Sequence, residues 1–155
     1  MNSRSLRISA MLLFAGGLGA GVHAQEKLLK TLRMHAEQGD ADAQYRLGSM
    51  YDYGLGFVQD FQDDGEAVKW YRLAAQQNHV EAQLVLGYRY QRGEGVPRDY
   101  VLSYMWFDLA VTRASDAIRA RAIRARTEVA ELLTFDEREE AKARSQQWDR
   151  EHRLH

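Results

Sequence analysis

Two glycine pairs, Gly54/Gly56 and Gly93/Gly95, have the spacing of loops that hold phosphate groups on their backbone N–H groups. A dinucleotide fingerprint also needs a preceding strand, a third glycine three residues on and a later acidic residue, and a P-loop needs Gly-Lys followed by Ser or Thr. Neither context is present, so these glycines read as left-handed residues that end helices. Beyond Ala24 the histidines are His35, His79, His152 and His155, with no HExxH and no i, i+4 pair among them, and the chain has no cysteine to complete a metal site. They read as surface or turn residues. The paired carboxylates Asp63/Asp64 and Glu139/Glu140 could share acid and base work. They fall at a helix start and on a charged helix face, where complementing the helix dipole or solvation accounts for them. Ser49, Ser103, Ser115 and Ser145 lack the strand–turn–helix elbow of a seryl nucleophile. The sequence therefore predicts no catalytic residue, no metal and no cofactor.

At 155 residues the chain has the length of one domain. Its opening, MNSRSLRISAMLLFAGGLGAGVHA, sets Arg4 and Arg7 before an apolar run from Ile8 to Val22 and a small-residue site ending at Ala24. That is the order of a secretory signal peptide, so residues 1–24 are expected to be cut off after Ala24, leaving a periplasmic or secreted protein. The apolar run is shorter than the roughly 20 residues of a spanning helix, and no membrane insertion is expected after cleavage. Losing Arg4 and Arg7 takes the 21 basic residues to 19 against 22 acidic ones, a net charge of −3. Such a surface suits neither nucleic acid nor anionic lipid.

A single proline and many Ala, Leu, Glu, Arg and Gln residues point to an all-α chain. Its helices repeat. In AQYRLGSMYDYGLG (43–56) and AQLVLGYRYQRGEG (82–95), seven residues coincide at an offset of 39. In AVKWYRLAA and SYMWFDLAV, Trp70, Leu73 and Ala74 fall on Trp106, Leu109 and Ala110 at an offset of 36, which leaves three extra residues in the first unit's GFVQDFQDDG loop. Periods near 36 belong to solenoids. Each unit reads as two helices: 41–53 and 63–77, then 79–92 and 99–113. Asp40, Asp63 and Asp99 are cap candidates, and Thr134 with Glu137 forms a capping box that opens a last helix to about His152. Residues 25–39 read as an N-terminal capping helix, 40–114 as two repeats, and 115–155 as a degenerate third unit with a C-terminal capping helix. Gly48 and Gly87 allow close helix approach, and Trp70 and Trp106 fill interhelical space.

The stretches AEQGDADAQYRLGSMYDYGLGFVQD, EAVKWYRLAAQQNHVEAQLVLGYRYQRGEGVPRD and SYMWFDLAV resemble the Sel1-like repeat family, over roughly residues 36–114. The resemblance implies an α-solenoid of stacked antiparallel helix pairs, similar to tetratricopeptide repeats. Asn78 stands where the pattern has glycine, Ser103 where it has alanine, and Ile123 where the third unit's glycine would be. By analogy with tetratricopeptide stacks, the first helix of each unit lines a groove. The resemblance then places Tyr45, Ser49, Asp52, Tyr53, Leu84, Tyr88, Gln91, Arg92, Arg124 and Glu128 on a surface that binds a protein or peptide. An adaptor or regulator, monomeric or weakly homo-oligomeric, is the function implied. The alternative is a cell-envelope hydrolase acting on β-lactams or peptidoglycan, although the secreted members that suggest it are rich in cysteine.

Overall fold

Side-chain caps mark where the helices begin. Asp40, Asp63 and Asp99 are extended residues whose carboxylates accept the N–H groups of Ala43, Glu66 and Leu102 at 2.8, 2.9 and 2.9 Å. At the fourth such position His79 takes the same part, its Nδ1 accepting from the Ala82 N–H at 3.2 Å. Each cap satisfies one of the N–H groups that a first helical turn leaves unpaired. Thr134 and Glu137 close their box in both directions, the Glu137 N–H donating to the Thr134 hydroxyl at 3.3 Å and the Thr134 N–H to the Glu137 carboxylate at 2.8 Å. Gly54 and Gly93 end their helices at φ of 62° and 73°, left-handed conformations that glycine adopts without strain.

The computed structural model describes residues 18–54 and 62–152. Seven helices account for most of them: α1 (Leu18–Glu37), α2 (Ala41–Tyr53), α3 (Asp64–Gln76), α4 (Val80–Arg92), α5 (Tyr100–Arg113), α6 (Asp116–Ala130) and α7 (Phe135–His152). No strand occurs among the described residues. Consecutive helices from α1 to α6 pack on one another as a solenoid of antiparallel pairs, and α7 lies chiefly against α5. Of the expected signal segment, residues 1–17 lie outside the described residues, and α1 runs through Ala24. Residues 55–61, which include most of the longer GFVQDFQDDG loop, and His155 also lie outside them. No described helix is long and apolar enough to cross a membrane.

Two glycines set the spacing within the pairs. A Cβ on Gly48 would stand 2.9 Å from the Tyr71 ring of α3, and one on Gly87 only 2.3 Å from the Phe107 ring of α5. Tyr71 and Phe107 are fully buried in consequence. Around these contacts the units repeat their polar bonds. Gln44 and Gln83 are buried and donate to the carbonyls of Ala36 and Ala75 at 3.0 and 3.2 Å, satisfying carbonyls at the ends of α1 and α3. Arg33 donates to the Tyr51 hydroxyl at 2.8 Å, and Arg72 to the Tyr90 hydroxyl at 2.9 Å. The third unit keeps this register with other chemistry. Asp108 of α5 and Arg126 of α6 occupy the places of Arg72 and Tyr90 and form an ion pair.

Trp106 fills buried space as expected, edge-on to Trp148 of α7 at 5.1 Å between ring centroids. Trp70 is only half-buried, against Leu47 and Ala43, and its neighbour Leu73 is 42% exposed where the matching Leu109 is 1% exposed. The difference is α7, whose Trp148 joins the cluster that contains Trp106 and Leu109.

Gly87→Ala is expected to lower the free energy of unfolding by about 1–3 kcal/mol, because Phe107 has to move. Gly48→Ala, where the ring is less deeply seated, should cost less; urea titrations of both variants followed by circular dichroism check the order.

Candidate functional site

The face built by α2, α4 and α6 carries an open cleft of about 710 Å³. From α2 it receives Asp52 and Tyr53, from the entry to α3 Gln62 and Asp64, from α4 Val85, Tyr88, Arg89 and Arg92, from the following turn Glu94, and from α6 Arg121. At its back is Arg89, whose side chain is 9% exposed. Its guanidinium forms an ion pair with Asp52 and lies 3.3 Å from the carboxylates of both Asp64 and Glu94. Burial alone would lower the pKa of Arg89, but the hydrogen bond and charge of Asp52, with the charges of Asp64 and Glu94, hold it above its usual value. Asp52 also accepts from the Tyr71 hydroxyl at 3.0 Å. Burial, reinforced by that carboxylate, pushes the Tyr71 phenol well above the ordinary tyrosine range and keeps it a donor. One cation thus joins α2, α4 and the entry to α3, and offsets one of the three carboxylate charges on the wall of the cleft.

The rim is different. Tyr53 is 70% exposed. Tyr88 packs edge-on to Phe107 at 5.0 Å, and the Arg92 guanidinium lies 5.4 Å over the Tyr88 ring, within cation–π range. These groups offer flat surfaces and donors but no nucleophile with an adjacent base. Among the described residues no group of three or more His, Asp or Glu side chains is arranged to hold a metal ion.

Of the ten residues placed on the groove by sequence, Asp52, Tyr53, Tyr88 and Arg92 line this cleft. Tyr45 belongs to a neighbouring hollow of about 230 Å³ with Asp42, Arg46, His79 and Glu81, stacked on the His79 ring at 4.7 Å between centroids. Ser49 is partly buried, its hydroxyl donating to the Tyr45 carbonyl at 3.1 Å and lying 3.2 Å from the Tyr71 hydroxyl. Leu84 requires correction. It is 4% exposed and packs in a cluster with Tyr104 and Phe107 of α5 and Ala122 and Ala125 of α6, because α6 folds across the side of α4 that faces away from α3. Gln91, Arg124 and Glu128 are not among the cleft residues, and Arg121, one turn before Arg124, is.

Sequence reasoning missed Arg89, Gln62, Asp64, Val85, Glu94 and Arg121. A signal for Arg89 existed: at the repeat offset of 39 its counterpart is Met50, which is partly buried. An arginine on a methionine position in a packed helix calls for acidic partners.

Residues 41–79 and 80–115 each match the family model described as Sel1 repeat, the first segment taking in α2 and α3 and the second α4 and α5. Among solved structures the chain is similar to a protective antigen present in uropathogenic Escherichia coli strains that displays an SLR fold. The two share 32% identity with a TM-score of 0.71, over 80% of this chain and 25% of that one, so this chain spans about a quarter of that antigen's length. It is also similar to a Sel1 repeat protein from Oxalobacter formigenes, at 29% identity and a TM-score of 0.51, over 77% of this chain and 98% of that one. No curated protein matches the sequence.

Arg89→Met should destabilise the fold by about 3 kcal/mol, because it leaves Asp52 recessed without its cation. Adding Asp52→Leu should recover part of that loss. A double-mutant cycle of thermal or urea unfolding measures the coupling, and additive losses would contradict a linked pair.

Proposed function

Because the chain belongs to the Sel1-like repeat proteins, with its two repeats in α2–α3 and α4–α5, we propose that it is a non-catalytic adaptor or regulator that holds a segment of another protein against the face of α2, α4 and α6. The observation that carries this reading is the contrast between the wall and the rim of the cleft. The wall carboxylates Asp52, Asp64 and Glu94 are all engaged by Arg89. The rim side chains Tyr53, Tyr88 and Arg92 are of types over-represented at binding hot spots. A segment lying there would gain ring contacts and hydrogen bonds without having to break the ion pair of Arg89 with Asp52. The same engagement of the carboxylates by Arg89 counts against acid–base hydrolysis in the cleft.

The compartment proposed is the periplasm or the exterior, on the strength of Arg4 and Arg7, the apolar run from Ile8 to Val22 and the small-residue site at Ala24. The protein isolated from its cell envelope should begin at Gln25; a full-length chain recovered from the cytosol would rule this out.

Affinity capture from the native envelope tests the adaptor role. Wild type should retain a partner that Tyr88→Ala combined with Arg92→Ala loses at least about fivefold, the equivalent of 1 kcal/mol. Equal recovery by the two proteins would remove the assignment of this face.

A further inference from the structure

The arginines around the cleft do not all have the same freedom. Arg89 is recessed and surrounded by Asp52, Asp64 and Glu94. Arg92 is 60% exposed, and its only acidic neighbour among the described ion pairs is Glu94 at 3.9 Å, a carboxylate that Arg89 holds more closely. Arg121 of α6 is exposed and lines the same cleft, and it forms no ion pair among the described residues. Two guanidinium groups therefore stand at the cleft with their charge largely unspent, beside two tyrosine rings. The cleft as a whole carries three arginines against three carboxylates, and the two arginines without a close acid are those at its rim.

We propose that the segment held in the cleft is acidic, with an Asp or Glu side chain or a terminal carboxylate seated between Arg92 and Arg121 and neighbouring apolar groups against Tyr53 and Tyr88. This rests on the binding role proposed above and adds the chemistry of the ligand. Guanidinium groups recognise carboxylates by paired N–H···O bonds, and here the cost of freeing them from existing partners is small. The adjoining hollow sets two carboxylates, Asp42 and Glu81 at 3.1 and 3.6 Å from His79, against Arg46 and so carries more acid than arginine, which directs the acidic group toward the α6 end. Being exposed, the contacts weaken with salt.

A random peptide library displayed on phage, selected against the full chain, is the probe. Recovered peptides should be enriched in Asp and Glu. Synthetic copies should lose about fivefold or more in affinity when the acidic residue becomes Gln or when the protein carries Arg121→Gln, and should weaken between about 0.05 and about 0.5 M salt. A Glu→Lys peptide should bind Arg121→Glu better than wild type, a rescue that a fold defect cannot produce. Peptides that need Tyr88 but show no acidic preference would overturn the acidic ligand and leave the binding face standing. Failure to enrich any peptide sensitive to Tyr88→Ala would overturn both.

Discussion

An aromatic ring lying where a side chain would otherwise stand is the contact from which the other spacings follow. With Tyr71 over Gly48 and Phe107 over Gly87, the two helices of each repeat approach closely enough to share one buried layer. Small residues continue the seam: Ala67, Ala74 and Ala75 on α3, Ala82 on α4 and Ala110 on α5 are all buried. Interiors packed at this density transmit displacement and do not absorb it. The position of α2 relative to α4, and with it the width of the cleft between them, is therefore inherited from contacts on the side away from the cleft. The phenol of Tyr71 connects the two levels directly, its ring sealing the seam and its hydroxyl bonding to the carboxylate that anchors Arg89.

Arg89 performs a second task that packing alone cannot. Three carboxylates crowded on one wall would repel each other and any acidic ligand. A recessed guanidinium offsets one of those three charges and fixes Asp52 and Asp64, from different helices, in one arrangement. Removing charge from water in this way brings little net stability. What it supplies is a wall with a defined shape, its carboxylates turned to Arg89, while Arg92 and Arg121 stay exposed at the rim.

Most of the frame was legible because its signals are local. Asp40, Asp63 and Asp99 cap helices three residues ahead of their partners, Gly54 and Gly93 end them, and Thr134 reaches only to Glu137. The cleft was legible where helical phase decides exposure, as at Tyr53, Tyr88 and Arg92. It was not legible where a third helix intervenes. Leu84 faces away from α3, and only the fold shows α6 crossing there. The three-residue error between Arg124 and Arg121 has a similar origin, since α6 lacks the glycine that sets the phase of α2 and α4. Arg89 escaped because Asp52 lies 37 residues and Asp64 25 residues away in sequence. His79 hid inside an aspartate's position, since an imidazole nitrogen can accept the same N–H bond.

The series of cross-helix pairs bears on how a repetitive chain avoids assembling wrongly. Similar helices invite exchange of neighbours, a recurrent failure of repeat proteins. Here Arg33 meets Tyr51 and Arg72 meets Tyr90, but the next pair is Asp108 with Arg126. If α3 docked on α6 in place of α4, Arg72 would face Arg126, two cations at one contact. If α5 took the place of α3 on α4, Arg126 would lose its acid. The change of chemistry in the third unit therefore distinguishes it from the first two, and a skipped unit would set two arginines at one contact.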